Sequence, residues 1–331
     1  EYGLGEQSYD LNFKAARIAR DLALEYSRKG HPRFVAGSLG PTTKLPSLGH
    51  ISFKEMAQAY RIQAQALIEG GVDLLSVETC QDVLQIKSAL YGIFESFRDT
   101  RKRVPLVVSV TIETMGTMLL GTEMFAALTA IEPFDVDVIG INCATGPKEM
   151  SDHVRVLSAS SPKPIFVMPN AGVPENIGGK AHYHLSPHEL VQYLSHFVKD
   201  LGVQVVGGCC GTTHEHIRQL VSAVGALSPA PRSFDFVPGA ASLYQASPFQ
   251  TTPPPILIGE RTNANGSKAF RDLLVKEDWE GMVAMGRDQV REQAHMLDVC
   301  VAYAGRNEAA DMSELIRRFN TQISIPLVLD T

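Results

Sequence analysis

The sequence predicts an α/β protein made of (β/α)8 barrels of the TIM type in tandem. The first lacks its N-terminal units and the second is cut short at its C-terminus. Three observations predict this. Short apolar, β-branched runs alternate with amphipathic helical stretches as far as Val224, the pattern of a parallel sheet. The runs are almost continuously apolar, as strands covered on both faces are. A proline-rich stretch then interrupts the alternation, which resumes beyond it.

The elements follow in order. Ser8 to Arg28 reads as a helix, with Phe13, Ala16, Ile18, Ala19, Leu22 and Ala23 on one stripe. Strands are expected at Arg33–Gly37, Asp73–Val77, Pro105–Val110, Asp137–Ile141, Pro164–Met168 and Val203–Gly207. Helical patterns lie between them at Phe53–Glu69, Asp82–Arg98, Thr122–Ile131, Lys148–Ala159 and Pro187–Lys199, with a further one at His214–Val224. That makes about six units against the eight of a closed barrel. The chain also opens on a helix with no strand before it, so about two units are expected to be missing from a longer polypeptide. An open doubly wound sheet is the rival arrangement.

Prolines crowd residues 228–255, and proline resists both helix and central strand, so this stretch reads as a semi-extended linker. It separates an expected first domain, residues 1–227, from a second, residues 256–331. In the second, strands are expected at Ile256–Ile258, Met296–Val301 and Pro326–Leu329, and helices at Gly281–Ala294 and Asp311–Asn320.

Composition narrows the function. The chain has 331 residues, 44% hydrophobic and 20% charged, which is ordinary for a globular protein. A net charge of −6 argues against a nucleic-acid surface. No apolar run reaches the length of a membrane span, and no signal peptide opens the chain. Five cysteines in a chain of this length do not suggest a disulfide framework; the expectation is a reducing cytoplasm, where clustered cysteines bind metal or do chemistry.

In a parallel barrel the site lies at the C-terminal ends of the strands. Cys143 ends one expected strand, and Cys209 and Cys210 end another two units later. If the barrel closes, three thiolates face one mouth. Zinc takes thiolate readily, and three protein ligands leave a fourth position for a substrate. A thiol there would be deprotonated and so made nucleophilic, which suits alkyl transfer to sulfur. The competing reading is packing, since free cysteine is often buried. His214 and His216 are near enough in sequence to substitute as ligands, and their place in a helical pattern favours a surface role. Cys80 and Cys300 are read as core. Glu78 either binds a substrate ammonium or caps the next helix. Asn263 and Asn265 offer amides that can read a heterocycle edge, or they make an ordinary turn. Asp330 ends the third strand of the second domain, and Asp298 lies within the second.

Several motifs together resemble the cobalamin-dependent methionine synthases. They are Phe34–Pro41, Gly71–Leu75 with Glu78-Thr79, Ile141–Ala144, Pro169–Gly172, Gly207–Gly211 and Gly259–Asn263. The resemblance implies a first barrel that binds homocysteine on zinc held by Cys143, Cys209 and Cys210, with Glu78 on the substrate amino group. It implies a second barrel that binds methyltetrahydrofolate, with Asn263 and Asp330 on the pterin. Methylcobalamin would be carried by a domain outside this chain, followed by a reactivation domain. Three departures stand out. The family's first strand precedes Glu1, its later pterin ligands lie beyond Thr331, and Val299-Cys300 replaces the common Val-Asn. Two other readings are weighed: a zinc homocysteine methyltransferase using betaine or S-methylmethionine, and a noncatalytic scaffold with a structural zinc.

Overall fold

The structure, a computed structural model, describes residues 3–331. The chain divides into two compact units. The first runs to Leu119 and resumes over Ile131–Asp235; the second takes Leu120–Ala130 and Phe236–Thr331.

In the first unit α1 (Ser8–Tyr26) precedes β1 (Ala36–Leu39), α2 (Phe53–Gly70) and β2 (Leu74–Cys80). Then come α3 (Val83–Thr100), β3 (Leu106–Val110), α4 (Met124–Ile131), most of which belongs to the second unit, and β4 (Val138–Asn142). After α5 (Pro147–Ser160) and β5 (Ile165–Met168), a small hairpin of β6 (Glu175–Ile177) and β7 (Lys180–His182) leads to α6 (Pro187–Lys199), β8 (Val205–Val206) and α7 (His214–Val224). β1-β2-β3-β4-β5-β8 form one sheet in that order, every pair parallel. Spatial order therefore follows chain order. A doubly wound sheet reverses at a switch point, so this is the barrel-type alternative.

The apolar runs explain the core. Leu75, Val77, Val108, Val110, Ile139, Ile141, Ile165 and Val167 are fully enclosed, as expected of strands covered on both faces. Helix starts are written locally. Ser52 and Glu55 cap α2 reciprocally, and Ser186 and Glu189 do the same for α6.

In the second unit β9 (Gly239–Ala241) pairs antiparallel with β10 (Ala246–Pro248). Then follow β11 (Ile258–Gly259), α8 (Lys268–Val275), α9 (Trp279–Arg291), β12 (Met296–Val299), α10 (Glu308–Gln322) and β13 (Leu327–Leu329). β11, β12 and β13 form a second parallel sheet in chain order. Phe270, Leu274, Met282, Leu297, Leu315 and Phe319 close a core of its own.

Three local expectations differ from the structure. Residues 228–255, read as a semi-extended linker, also hold regular structure, because the β9–β10 hairpin forms within them. Its turn is held by Ser242 Oγ, which accepts from Tyr244 N and Gln245 N, while Tyr244 Oη donates to Thr321 O. β2 runs three residues beyond Val77, so Glu78 lies inside the strand and not after it. The short helix α8 goes unannounced by periodicity, although Ser267 caps it by accepting from Phe270 N. Among the described residues no helix is long and apolar enough to cross a membrane.

Candidate metal centre

β4 and β8 flank β5, and the segment after β5 ties their ends together. Cys143 N donates to Met168 O, Cys209 N to Pro169 O and Ala171 N to Cys210 O. Cys210 N also donates to the side-chain Oδ1 of Asn170, which is buried. Four main- and side-chain groups of one segment thus align two strand ends that are 67 residues apart in sequence.

The three sulfurs meet there. Cys143 Sγ lies 3.7 Å from Cys210 Sγ, Cys209 Sγ lies 3.9 Å from Cys210 Sγ, and all three fall within 4.8 Å of one another. Tetrahedral zinc with Zn–S bonds of about 2.3 Å spaces its sulfurs about 3.8 Å apart, so the cluster has the dimensions of such a site. The electrostatics agree. The Cys143 thiol is pulled well below the usual range, chiefly by a hydrogen bond from Cys209, and Cys209 is pushed up chiefly by that same bond. Burial, then repulsion from Cys143, pushes Cys210 up as well. Three sulfurs this close do not all ionise unless a cation joins them.

Backbone strain marks the same place. Thr79, Cys143 and Ala144 hold φ of 59°, 62° and 58°, the left-handed region that side chains other than Gly seldom adopt. Gly211 follows the cysteine pair at φ +78°, and a Cβ on it would lie 2.2 Å from Cγ of Tyr183, whose ring packs over the turn.

Glu78 is half-buried. Ser38 Oγ donates to its Oε1 at 2.5 Å and Ser76 Oγ to its Oε2 at 3.1 Å. The helix cap it could have supplied belongs to Asp82, which accepts from Leu84 N. His216 is a cap too. Its Nδ1 accepts from Thr213 N, so Nε2 carries the proton and donates to Leu185 O. His214 is exposed, and neither histidine belongs to the cysteine group. Cys80 and Cys300 are buried, and burial pushes both thiols up.

In the second unit, Asn263 Nδ2 donates to Asp298 Oδ2 at 2.8 Å and to Asp330 Oδ2 at 3.1 Å. Its Oδ1 accepts from Asn265 N and Gly266 N. The amide thus brings together two carboxylates from the ends of β12 and β13. A cleft beside β11 and the C-terminal part of α9 is lined by Glu260, Arg261, Gln289 and Glu292 and does not include Asn263, Asp298 or Asp330.

Residues 1–224 match the family model of homocysteine S-methyltransferases, about two thirds of the chain. The chain belongs to that family. Beyond its homocysteine S-methyltransferase segment, residues 259–331 match the model of pterin binding enzymes. The chain is 46% identical to the methionine synthase of Mycobacterium leprae over 337 residues and 46% identical to that of Mycobacterium tuberculosis over 332. Each alignment covers 100% of this chain and 28% of the relative, so the chain spans little more than a quarter of those proteins' length. Among solved structures it resembles the apo form of the homocysteine methyltransferase MmuM from Escherichia coli, at 25% identity and a TM-score of 0.52, over 67% of this chain and 76% of that one. The oxidised form of the same enzyme gives 26% and 0.50 over 66% and 72%.

Within this homocysteine S-methyltransferase framework, sequence reasoning singled out the cysteines and Glu78 but passed over Asn142, Asn170, Ser38 and Tyr183. Asn142 and Asn170 stood inside the quoted motifs. An amide directly after an apolar run is the one hint the sequence holds, and its burial is seen only in the structure.

Proposed function

We propose that the chain carries the thiol-activating and the first folate-binding parts of a methionine synthase. In this reading a methyl group passes from methyltetrahydrofolate, by way of cobalamin held in a further domain of the polypeptide, to homocysteine, giving methionine and tetrahydrofolate. The six-stranded sheet is then the greater part of one (β/α)8 barrel, and β11–β13 are the opening strands of a second. The enzyme is assigned to the cytoplasm.

One observation carries the reading: three sulfurs from two strand ends converge at zinc spacing. Cys143, Cys209 and Cys210 would hold the metal, leaving one coordination position free. Zinc there supplies acidity, so that a substrate thiol in the free position is presented as a thiolate at neutral pH. Glu78 accepts the substrate ammonium, with Ser38 and Ser76 fixing its oxygens. Asn263 and Asp330 face the pterin, whose ring N–H groups suit a carboxylate acceptor such as Asp330. A methyl donor such as betaine or S-methylmethionine would leave residues 259–331 without a task, and the pterin-binding match favours folate. A purely structural zinc is disfavoured by the three-ligand set, since structural sites are closed by four.

The test is metal analysis of the full-length protein and its Cys209→Ala variant. About one zinc per chain is expected in the first. The variant is expected to bind zinc at least ~10-fold more weakly, because two thiolates make a poor site. Equal zinc affinity in both removes Cys209 from the ligand set.

A further inference from the structure

We propose that Asn142 is the positioning residue that joins the two ends of the first unit's site, the Glu78 carboxylate and the three-sulfur cluster. The inference rests on the roles given above to Glu78 and the cysteines.

The geometry is over-determined. Thr79 N–H can only donate, so the Asn142 amide oxygen must face it; it does, at 2.8 Å. Ser109 Oγ donates to the same oxygen at 2.6 Å. The amide NH2 is thereby turned the other way. One of its hydrogens goes to Thr79 Oγ1 at 2.8 Å, and the other points at Cys209 Sγ, 4.0 Å away. The main-chain oxygen of Asn142 accepts from Thr111 Oγ1 at 2.8 Å. The side chain is 3% exposed, and its hydrogen-bonding capacity is fully used.

Each pair of bonds has a consequence. Thr79 sits at φ 59°, a conformation a β-branched residue keeps only when its surroundings impose it. Asn142 imposes it twice, through the main-chain N–H and through Oγ1. Thr79 directly follows Glu78, so the two bonds fix how the Glu78 carboxylate leaves β2. On its other side the amide hydrogen aimed at Cys209 draws charge from that sulfur, as groups behind a metal ligand do. Asn142 also immediately precedes Cys143. One side chain therefore sets the span between ammonium acceptor and sulfur cluster, and the site selects thiols that carry an amino group at that span.

The test uses the full-length, zinc-loaded protein with Asn142→Ala, Glu78→Gln and the double variant. Calorimetry gives the preference for homocysteine over 4-mercaptobutanoate, which lacks the amino group. Chelator competition gives zinc affinity, and cobalt substitution gives the sulfur-to-metal absorption band. Asn142→Ala is expected to lower the preference and the zinc affinity about tenfold each. The cobalt band moves to longer wavelength, because a sulfur freed of its hydrogen bond gives up charge more easily. The double variant shows no less preference than Glu78→Gln alone, since the two residues act as one. If Glu78→Gln abolishes the preference while Asn142→Ala keeps it, the inference is overturned and the role of Glu78 stands. If Glu78→Gln keeps the preference, the role of Glu78 falls and the inference falls with it. Should Asn142→Ala fail to fold, Thr79→Ala decides. It removes only the hydroxyl acceptor, and is expected to lower the preference with zinc affinity unchanged; an unchanged preference overturns the inference.

Discussion

Gly140 lies mid-way along β4 opposite Phe166 of β5, and a Cβ there would stand 2.0 Å from Phe166 O. The obstacle is backbone, which cannot swing aside as a side-chain tip can. Gly140→Ala therefore pushes β4 away from β5, the pair whose ends align Cys143 with Met168 O. The expected cost is about 1–3 kcal/mol in chemical denaturation, with zinc affinity reduced because Cys143 moves with its strand. An unchanged denaturation midpoint contradicts the close strand approach. Residue-level legibility splits along chemistry. Cysteines at strand ends announce themselves, because thiolate chemistry is intrinsic to the residue. Asn142 stood beside Cys143 in the same motif and carried no such announcement. Its role depends on Thr79 and Ser109, 63 and 33 residues away, and on an amide orientation that only the folded neighbours decide.

At the scale of elements, the apolar runs located β2 to β5 because near-complete burial leaves an unbroken apolar signature, whereas β1 alternates exposed and buried residues and β8 is partly exposed. The β6–β7 hairpin has no such signature. All six of its residues are exposed, so nothing selects an alternating pattern, and only Gly178-Gly179 hints at the turn. The β9–β10 hairpin hides for a different reason. Gly, Ala, Ser and Pro form its strands, and its stability comes from the Ser242 turn and from contacts distant in sequence. Helix starts are the most legible boundaries, since caps are local. Asp82 is the most consequential of them. It is fully buried and accepts from Leu84 N at 2.8 Å, Ser47 N at 2.9 Å and Ser47 Oγ at 2.7 Å, tying the loop after β1 to the start of α3. Asp82→Ala strands a helix-end donor and the part-buried N–H of Ser47, and is expected to destabilise the protein by about 2–3 kcal/mol. Asp82→Asn keeps an acceptor oxygen and is expected to lose less. Equal loss in both variants, read from denaturation curves, argues against a capping role.

At the scale of the whole chain, the two compact units each have their own parallel sheet, and the second closes its own core around Phe270, Leu297 and Phe319. The polar clusters divide the same way. The sulfurs and Glu78 belong to the first unit; Asn263, Asp298 and Asp330 belong to the second. The division of labour in the proposed reaction follows: thiol activation requires only the first set, and pterin recognition only the second. Asn263→Ala tests it. The substitution removes the one amide that joins Asp298 to Asp330, leaving two carboxylates to repel each other across the gap. Binding of methyltetrahydrofolate to the full-length protein is expected to weaken about tenfold or more, the usual cost of losing a hydrogen-bonded charged contact. Zinc content and homocysteine affinity are expected to stay at wild-type values, because the side-chain bonds of Asn263 go to residues of its own unit and the two sets have no residue in common. Loss of thiol binding in parallel with folate binding would mean that the two units do not recognise their ligands independently.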